Sequence, residues 1–278
     1  MRTLLLTLFV ALTPVLSAEE VRFSTAKGAL RIAVAGMVHG HVEGVLSQAR
    51  QRDDLELVGV YEPNEKLFQT LAEEYELPAS LRFDDLGEML DRCRPEAVSG
   101  MSSIKDHLAI VEACAPRGVH VLLEKPLAFS VKDATRMAEL SRKHGVLVLT
   151  NYETSWYPSV REVGRWIKTE SDNPLRRMVF RHGHQGPQEI GCRPEFLEWL
   201  TDPAENGGGA LIDFGCYGAA LSTWLMDGAR PESVTAMVGN IKPLRYRRVV
   251  DDASILLCFP NASAVIQASW AWTHDLKE

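Results

Sequence analysis

The chain has 278 residues with 46% hydrophobic and 24% charged residues, and its formal net charge is −7. This composition is that of a globular protein rather than a disordered one, and the length favours two domains over one compact core. The negative charge argues against a nucleic-acid partner, because phosphate binding needs a clustered basic face and the densest basic run, Arg245–Arg248, is short.

The first eighteen residues predict a cleavable signal peptide. Arg2 supplies a positive start, Leu4 to Leu16 form an apolar stretch, and the small residues Ser17 and Ala18 follow. An uncleaved anchor or a misplaced start are the alternatives. We therefore expect a periplasmic or secreted protein, with no stable membrane insertion after cleavage because no later segment is apolar enough to cross a bilayer.

Residues 30–150 alternate short β-branched runs with amphipathic helices. The predicted strands are Leu30–Ala35, Leu55–Tyr61, Ala97–Met101, Val119–Leu123 and Val146–Leu149, and the predicted helices are Val42–Ala49, Glu65–Tyr75 and His107–Ala115. This alternation indicates right-handed βαβ units. The segment is thus predicted to be a Rossmann domain of the α/β class, with a doubly wound parallel sheet.

The pattern changes in residues 151–278. A helix at Ser159–Lys168 and a strand at Arg177–His184 precede a glycine-rich turn and helix at Gly207–Leu225; strands follow at Ser233–Gly239, Ala253–Phe259 and Ala264–Trp272. The last three strands have no helices between them. We therefore predict an α+β domain with a mostly antiparallel sheet.

The turn after the first strand has features of a dinucleotide site. Residues 36–41 read Gly-Met-Val-His-Gly-His, so Val38 and His41 stand where the G-x-G-x-x-G fingerprint has glycines. Glu62 ends the second strand, where an acidic residue accepts ribose hydroxyls and disfavours a 2′-phosphate. An ordinary turn that binds no nucleotide is the alternative.

Two further motifs carry a resemblance to a known family. Residues 119–126 read Val-His-Val-Leu-Leu-Glu-Lys-Pro and place Lys125 directly after a buried strand. Residues 207–217 read Gly-Gly-Gly-Ala-Leu-Ile-Asp-Phe-Gly-Cys-Tyr. They resemble the E-K-P motif and the G-G-G-x-x-x-D-x-G-x-H segment of the Gfo/Idh/MocA oxidoreductases, with Tyr217 in place of the usual histidine.

The resemblance implies hydride transfer between NAD, or NADP, and a secondary alcohol of a sugar, cyclitol or related polyol. It implies that Lys125 polarises the hydroxyl, that Tyr217 exchanges the proton, and that Asp213 orients the substrate. Asp213 and Tyr217 are four residues apart, so a helix would place both on one face. We expect the nicotinamide cation to lower the pKa of Lys125. The implied cofactor-binding residues are Gly36, Val38, His39, Gly40, His41, Glu62, Ser102, His107, Glu124, Lys125 and Pro126.

Four residues are candidates for substrate binding. His182 and His184 lie on one predicted strand face, and the aromatic rings of Tyr152 and Trp156 could stack on a sugar; surface or core positions are the alternatives. No third ligand is spaced near the two histidines, and the five cysteines are irregularly spaced. We therefore predict no metal site.

The resemblance also implies sheet and a returning helix beyond Trp272, so we expect the second domain to be incomplete. Two other functions stay open at this point. One is a glycoside hydrolase that uses bound NAD for transient oxidation, and the other is a catalytically silent nucleotide- or sugar-binding protein. A homo-oligomer is compatible with either.

Overall fold

The computed structural model describes residues 28–169 and 174–278. The predicted signal peptide, residues 1–18, lies outside them. Within the described residues, no helix has the length and apolar character needed to cross a membrane.

The first sheet has six parallel strands in the order β3-β2-β1-β4-β5-β6. The strands are β1 (Leu30–Ala35), β2 (Leu55–Tyr61), β3 (Arg82–Phe83), β4 (Ala97–Gly100), β5 (His120–Glu124) and β6 (Val148–Asn151). This is the predicted doubly wound sheet, and only the two-residue β3 was not expected. The strand order reverses between β1 and β4, and the carboxyl ends of these strands are where such sheets bind ligands.

Helices cover both faces of this sheet. They are α1 (Val42–Gln51), α2 (Glu65–Tyr75), α3 (Leu86–Cys93), α4 (His107–Cys114) and α5 (Val131–His144). The side chains of Asn64, Asp85 and Ser130 cap α2, α3 and α5 by accepting backbone N–H groups of the first turn. Apolar residues of α1 and α2 pack on one face, and those of α3, α4 and α5 pack on the other.

The second sheet has five strands in the order β11-β7-β10-β9-β8. They are β7 (Arg177–Gly183), β8 (Ser233–Gly239), β9 (Asp252–Cys258), β10 (Ser263–Ser269) and β11 (Leu276–Lys277). The pairing is antiparallel except between β7 and β10, which run parallel. The predicted mostly antiparallel sheet is therefore confirmed, with one parallel pair that the spacing of the strands did not indicate.

Five helices accompany the second sheet: α6 (Pro158–Thr169), α7 (Pro194–Leu200), α8 (Pro203–Asn206), α9 (Ala210–Asp213) and α10 (Gly215–Leu225). The glycine-rich turn predicted at Gly207 is present, but the helix predicted after it is two helices rather than one. Gly207, Gly208 and Gly209 all have positive φ and form a turn, and the helix that follows is interrupted at Phe214. Asp213 and Tyr217 therefore lie on two successive helices.

One apolar cluster joins the two halves of the chain. It contains Trp199 and Leu200 of α7, Trp270 after β10, and Ile104 from the loop between β4 and α4. Because Ile104 belongs to the first half, the carboxyl edge of the first sheet is packed directly against the second half.

We expect Gly209→Ala to lower the free energy of unfolding. Gly209 has φ +61°, and a Cβ atom there would lie 2.2 Å from the carbonyl oxygen of Val250. Strain of this kind costs on the order of 1–3 kcal/mol. Urea denaturation of the purified protein measures the change.

Gly239→Ala is the matched control, because no heavy atom lies within 4 Å of a Cβ built at Gly239. A Gly209→Ala variant as stable as Gly239→Ala would contradict the tight approach to Val250.

Candidate active site

A cavity of about 680 Å³ opens between the carboxyl edge of the first sheet and helices α9 and α10. Lys125, Asp213 and Tyr217 all line it. Lys125 follows β5, and the other two residues come from the second half of the chain. The structure thus brings the three sequence-predicted catalytic residues to one space.

Lys125 and Asp213 form a buried ion pair. The ammonium contacts Oδ1 of Asp213 and also donates to its backbone carbonyl over 3.3 Å. The other carboxylate oxygen, Oδ2, accepts a hydrogen bond of 2.9 Å from the indole N–H of Trp270. Each carboxylate oxygen of Asp213 therefore has its own partner.

The charges in this pair stabilise each other. Burial alone would lower the pKa of Lys125, but the adjacent Asp213 carboxylate outweighs burial and raises it above the usual lysine value. Burial likewise opposes ionisation of Asp213, and the Lys125 ammonium overcomes it, so the pKa of Asp213 is lowered. The lowering of the lysine pKa expected from a nicotinamide cation stays a prediction, and the Asp213 carboxylate acts in the opposite direction.

The aromatic ring of Tyr217 lies beside the ammonium group of Lys125. The ammonium nitrogen of Lys125 is 5.5 Å from the ring centroid, and the imidazole of His182 stacks on the ring at 5.2 Å. Tyr217 is 2% exposed, and burial raises its pKa well above the usual tyrosine value. The phenol is therefore protonated over the neutral range.

The turn at residues 36–41 fits a dinucleotide in part. Gly36 has φ +82° and packs on the backbone of Ser102, so the chain turns sharply at the amino end of α1. Glu62 is buried, and its two oxygens accept the N–H groups of Met37 and Asn64 at 2.9 and 2.8 Å. Each carboxylate oxygen has a second lone pair, so hydrogen bonds from ribose hydroxyls are still compatible with this arrangement.

His39, His41 and Glu124 form a group beside this turn. Oε1 of Glu124 lies 3.1 Å from His41 Nδ1 and accepts a 3.0 Å hydrogen bond from Asn151. Burial opposes ionisation of Glu124, but the hydrogen bond from His41 and the nearby imidazoles lower its pKa to about 2. Burial lowers the pKa of His39 to about 3, so its imidazole is neutral.

Three other cofactor candidates lie behind the cavity wall. Ser102 donates to the carbonyl of Ser103 over 3.0 Å, and His107 Nδ1 lies 3.1 Å from the carbonyl of Leu127. Pro126 follows Lys125 at the start of the same loop. None of the three lines the cavity, and His107 supports the loop after β5 through its contact with Leu127.

The four substrate candidates are placed differently from one another. His184 lines the cavity, whereas His182 and Tyr152 pack behind Tyr217. Trp156 ends a short 3-10 helix with 62% of its side chain exposed and does not line this cavity. Its predicted stacking on a sugar therefore stays a prediction.

Sequence reasoning missed several charged residues of the cavity. Lys277 on β11 donates a 2.5 Å hydrogen bond to Glu153, which lies 124 residues earlier. Arg193 contacts Glu43 of α1 and Glu74 of α2 at 2.5 and 2.6 Å. These pairs have no local sequence signal, because each joins segments that only the fold brings together.

Two family models match the chain, one over each half. Residues 30–152 match the model of an oxidoreductase family with an NAD-binding Rossmann fold, and residues 160–277 match the GFO/IDH/MocA C-terminal domain. Together they cover most of the chain.

Curated proteins match over shorter stretches. Trans-1,2-dihydrobenzene-1,2-diol dehydrogenase of Xenopus tropicalis is 30% identical over 172 residues, covering 57% of this chain and 49% of that protein. The NADP(+) D-xylose 1-dehydrogenase of Haloarcula marismortui is 28% identical over 165 residues, covering 59% and 44%. The chain spans about half the length of the curated relatives it matches.

Solved structures share the fold over a longer stretch. An inositol dehydrogenase homologue from Azotobacter vinelandii, complexed with NAD+, has a TM-score of 0.77 and 19% identity, covering 90% of this chain and 67% of that one. Aldose-aldose oxidoreductase from Caulobacter crescentus, complexed with glycerol, has a TM-score of 0.73 and 23% identity, covering 88% and 72%. At these identities the likeness establishes the fold.

We expect Lys125→Met to destabilise the protein by about 3–5 kcal/mol near neutral pH, because it leaves the Asp213 carboxylate buried without its partner. The contribution of the Lys125–Asp213 pair to the free energy of unfolding is present above the ordinary carboxyl pKa of about 3.9. It is lost as pH falls through the lowered pKa of Asp213. It is also present below about pH 10.4 and is lost as pH rises through the raised pKa of Lys125. Urea denaturation at a series of pH values measures this.

Lys105→Met is the matched control, because Lys105 forms an exposed ion pair with Glu205. Little change is expected there. Equal losses of unfolding free energy in the two variants would show that the buried pair stabilises the protein no more than an exposed pair does.

Proposed function

Because the chain belongs to the GFO/IDH/MocA family of oxidoreductases, we propose that it transfers a hydride between a nicotinamide cofactor and a secondary alcohol of a sugar, cyclitol or related polyol. The names of the relatives support this substrate class, since they include dehydrogenases of a dihydrodiol and of D-xylose. The observation that carries the proposal is the cavity shared by Lys125, Asp213 and Tyr217.

The turn at residues 36–41 and the amino end of α1 would hold the dinucleotide's pyrophosphate, and Glu62 would accept hydrogen bonds from its ribose. A carboxylate at this position favours NAD over NADP. When bound, the nicotinamide supplies or accepts the hydride.

The side chains provide the rest of the chemistry. Lys125 is an ammonium at neutral pH, so it acts as a hydrogen-bond donor that polarises the substrate oxygen rather than as a base. Asp213 fixes the position of this ammonium through Oδ1 and is itself held by Trp270. The donor is therefore oriented before substrate enters, and little reorganisation is needed during reaction.

Tyr217 would move the proton. Its phenol is protonated and lies beside the Lys125 charge, which favours the phenolate form once the proton has left. In carbonyl reduction Tyr217 gives its proton to the forming alkoxide. In alcohol oxidation the same oxygen must first release that proton.

We expect Tyr217→Phe to reduce kcat/KM for polyol oxidation by about 10²–10⁴-fold, the usual contribution of one acid or base. Production of NADH from a panel of sugars and cyclitols measures the rate, and a thermal shift with NAD(H) measures binding, which should persist. Tyr246→Phe, a buried tyrosine that contacts Glu189, is the matched control. Full turnover by Tyr217→Phe would reject the proton-transfer role.

We expect the two reaction directions to differ in pH dependence. Tyr217 keeps its proton because its pKa lies above the ordinary value of about 10, so carbonyl reduction should not decline between about pH 7 and 9. Alcohol oxidation should become faster over the same range, because it requires loss of that proton. Initial rates in both directions measure this.

His182 and His184 are not expected to set the pH dependence. Burial lowers the pKa of His182 to about 4, and it also lowers the pKa of His184, so both imidazoles are already neutral. A rate that rises and levels off near pH 6.5 would point to a histidine base and away from Tyr217.

A further inference from the structure

The turn between β1 and α1 presents two histidines to one buried carboxylate. His39 Nε2 lies 3.9 Å from Oε2 of Glu124, and His41 Nδ1 lies 3.1 Å from Oε1 of the same residue. One nitrogen from each histidine and one carboxylate oxygen lie within 4.8 Å of one another. Three atoms at this spacing can each lie about 2 Å from one ion placed between them.

A second observation points to a ligand at this position. His39 is 2% exposed, and its Nε2 atom has no hydrogen-bond partner among the described residues. A buried polar atom without a partner is costly, and a bound water or ion is one explanation for such an atom. The unpartnered nitrogen faces Glu124, so the missing group would lie between the two histidines and the carboxylate.

We propose that His39, His41 and Glu124 bind a divalent transition-metal ion of the zinc class. Imidazole nitrogens suit zinc, iron, nickel and copper, whereas magnesium and calcium prefer oxygen ligands. Two histidines and one carboxylate are also the protein ligand set of catalytic zinc sites, in which other positions stay open for water or substrate. This inference does not depend on the proposed hydride transfer.

Coordination by His39 requires a change of tautomer. Its Nδ1 atom accepts the N–H of His41 over 3.1 Å, so in the chain alone the imidazole proton is on Nε2. Metal binding moves that proton to Nδ1 and turns the His41 amide away. The residue between the histidines is Gly40, around which a Cβ atom would find open space, so the peptide has room to adjust.

The electrostatic surroundings allow a cation here. Glu124 is ionised, and the positive charge of the neighbouring Lys125 is neutralised by Asp213. His41 is half exposed and lines the cavity together with Lys125. The bound ion would thus face the same space as the proposed catalytic residues, and its open positions could accept a substrate oxygen.

The test is metal binding by the purified chain after treatment with a chelator and desalting. Titration calorimetry with Zn²⁺ should give one site per chain, and Co²⁺ should give visible absorption bands of a bound ion. His41→Ala should weaken Zn²⁺ binding by more than about tenfold, since losing even an outer partner of a metal site costs about 10–100-fold. Glu124→Gln should weaken binding similarly while preserving the shape of the side chain.

Two histidines provide controls. His274 is exposed and His184 lines the cavity outside the cluster, so His274→Ala and His184→Ala should retain wild-type Zn²⁺ affinity. Circular dichroism verifies that each variant is folded. The proposal is overturned if the wild-type chain binds no Zn²⁺, or if folded His41→Ala and Glu124→Gln both bind it as tightly as the wild-type chain does. NAD(H) thermal shifts, read on the same samples, report the proposed oxidoreductase function separately.

Discussion

The contact between Lys125 and Asp213 is the interaction on which the rest of the site depends. It joins the carboxyl edge of the first sheet to a helix of the second half, across 88 residues of sequence. A buried charge pair is stable only when its remaining hydrogen-bonding capacity is met. Trp270 meets it for Asp213, so the end of β10 also contributes to the position of the lysine.

The local sequence explains how Asp213 reaches the lysine. The three glycines before α9 take backbone conformations that other residues rarely adopt, and Gly209 lies too close to Val250 for any side chain. The turn directs α9 toward the sheet edge, and the interruption at Phe214 sets a new direction for α10. A continuous helix would have placed Asp213 and Tyr217 on one face, but the interruption lets one contact the ammonium through its carboxylate and the other through its ring.

Much of the fold could be predicted from the sequence because its signals are local. Alternating β-branched and amphipathic segments predicted β1, β2 and α2 with their observed bounds. The short helices α7 and α8 were missed, since seven- and four-residue helices carry little periodicity. At the site, motif resemblance identified Lys125 and Asp213, whereas Lys277 and Arg193 could not be found because their partners are remote in the chain.

Arg193 connects the second half of the chain to two helices of the first half. Its guanidinium forms ion pairs with Glu43 on α1 and Glu74 on α2. Arg193 directly precedes α7, and Trp199 of this helix donates a 3.3 Å hydrogen bond to the carbonyl of Val38. Helix α7, which forms part of the cavity wall, is thereby connected to α1, to α2 and to the turn at residues 36–41. A shift of this turn on binding a ligand would therefore also move α7. Ligand binding at the turn and the shape of the cavity are coupled in this way.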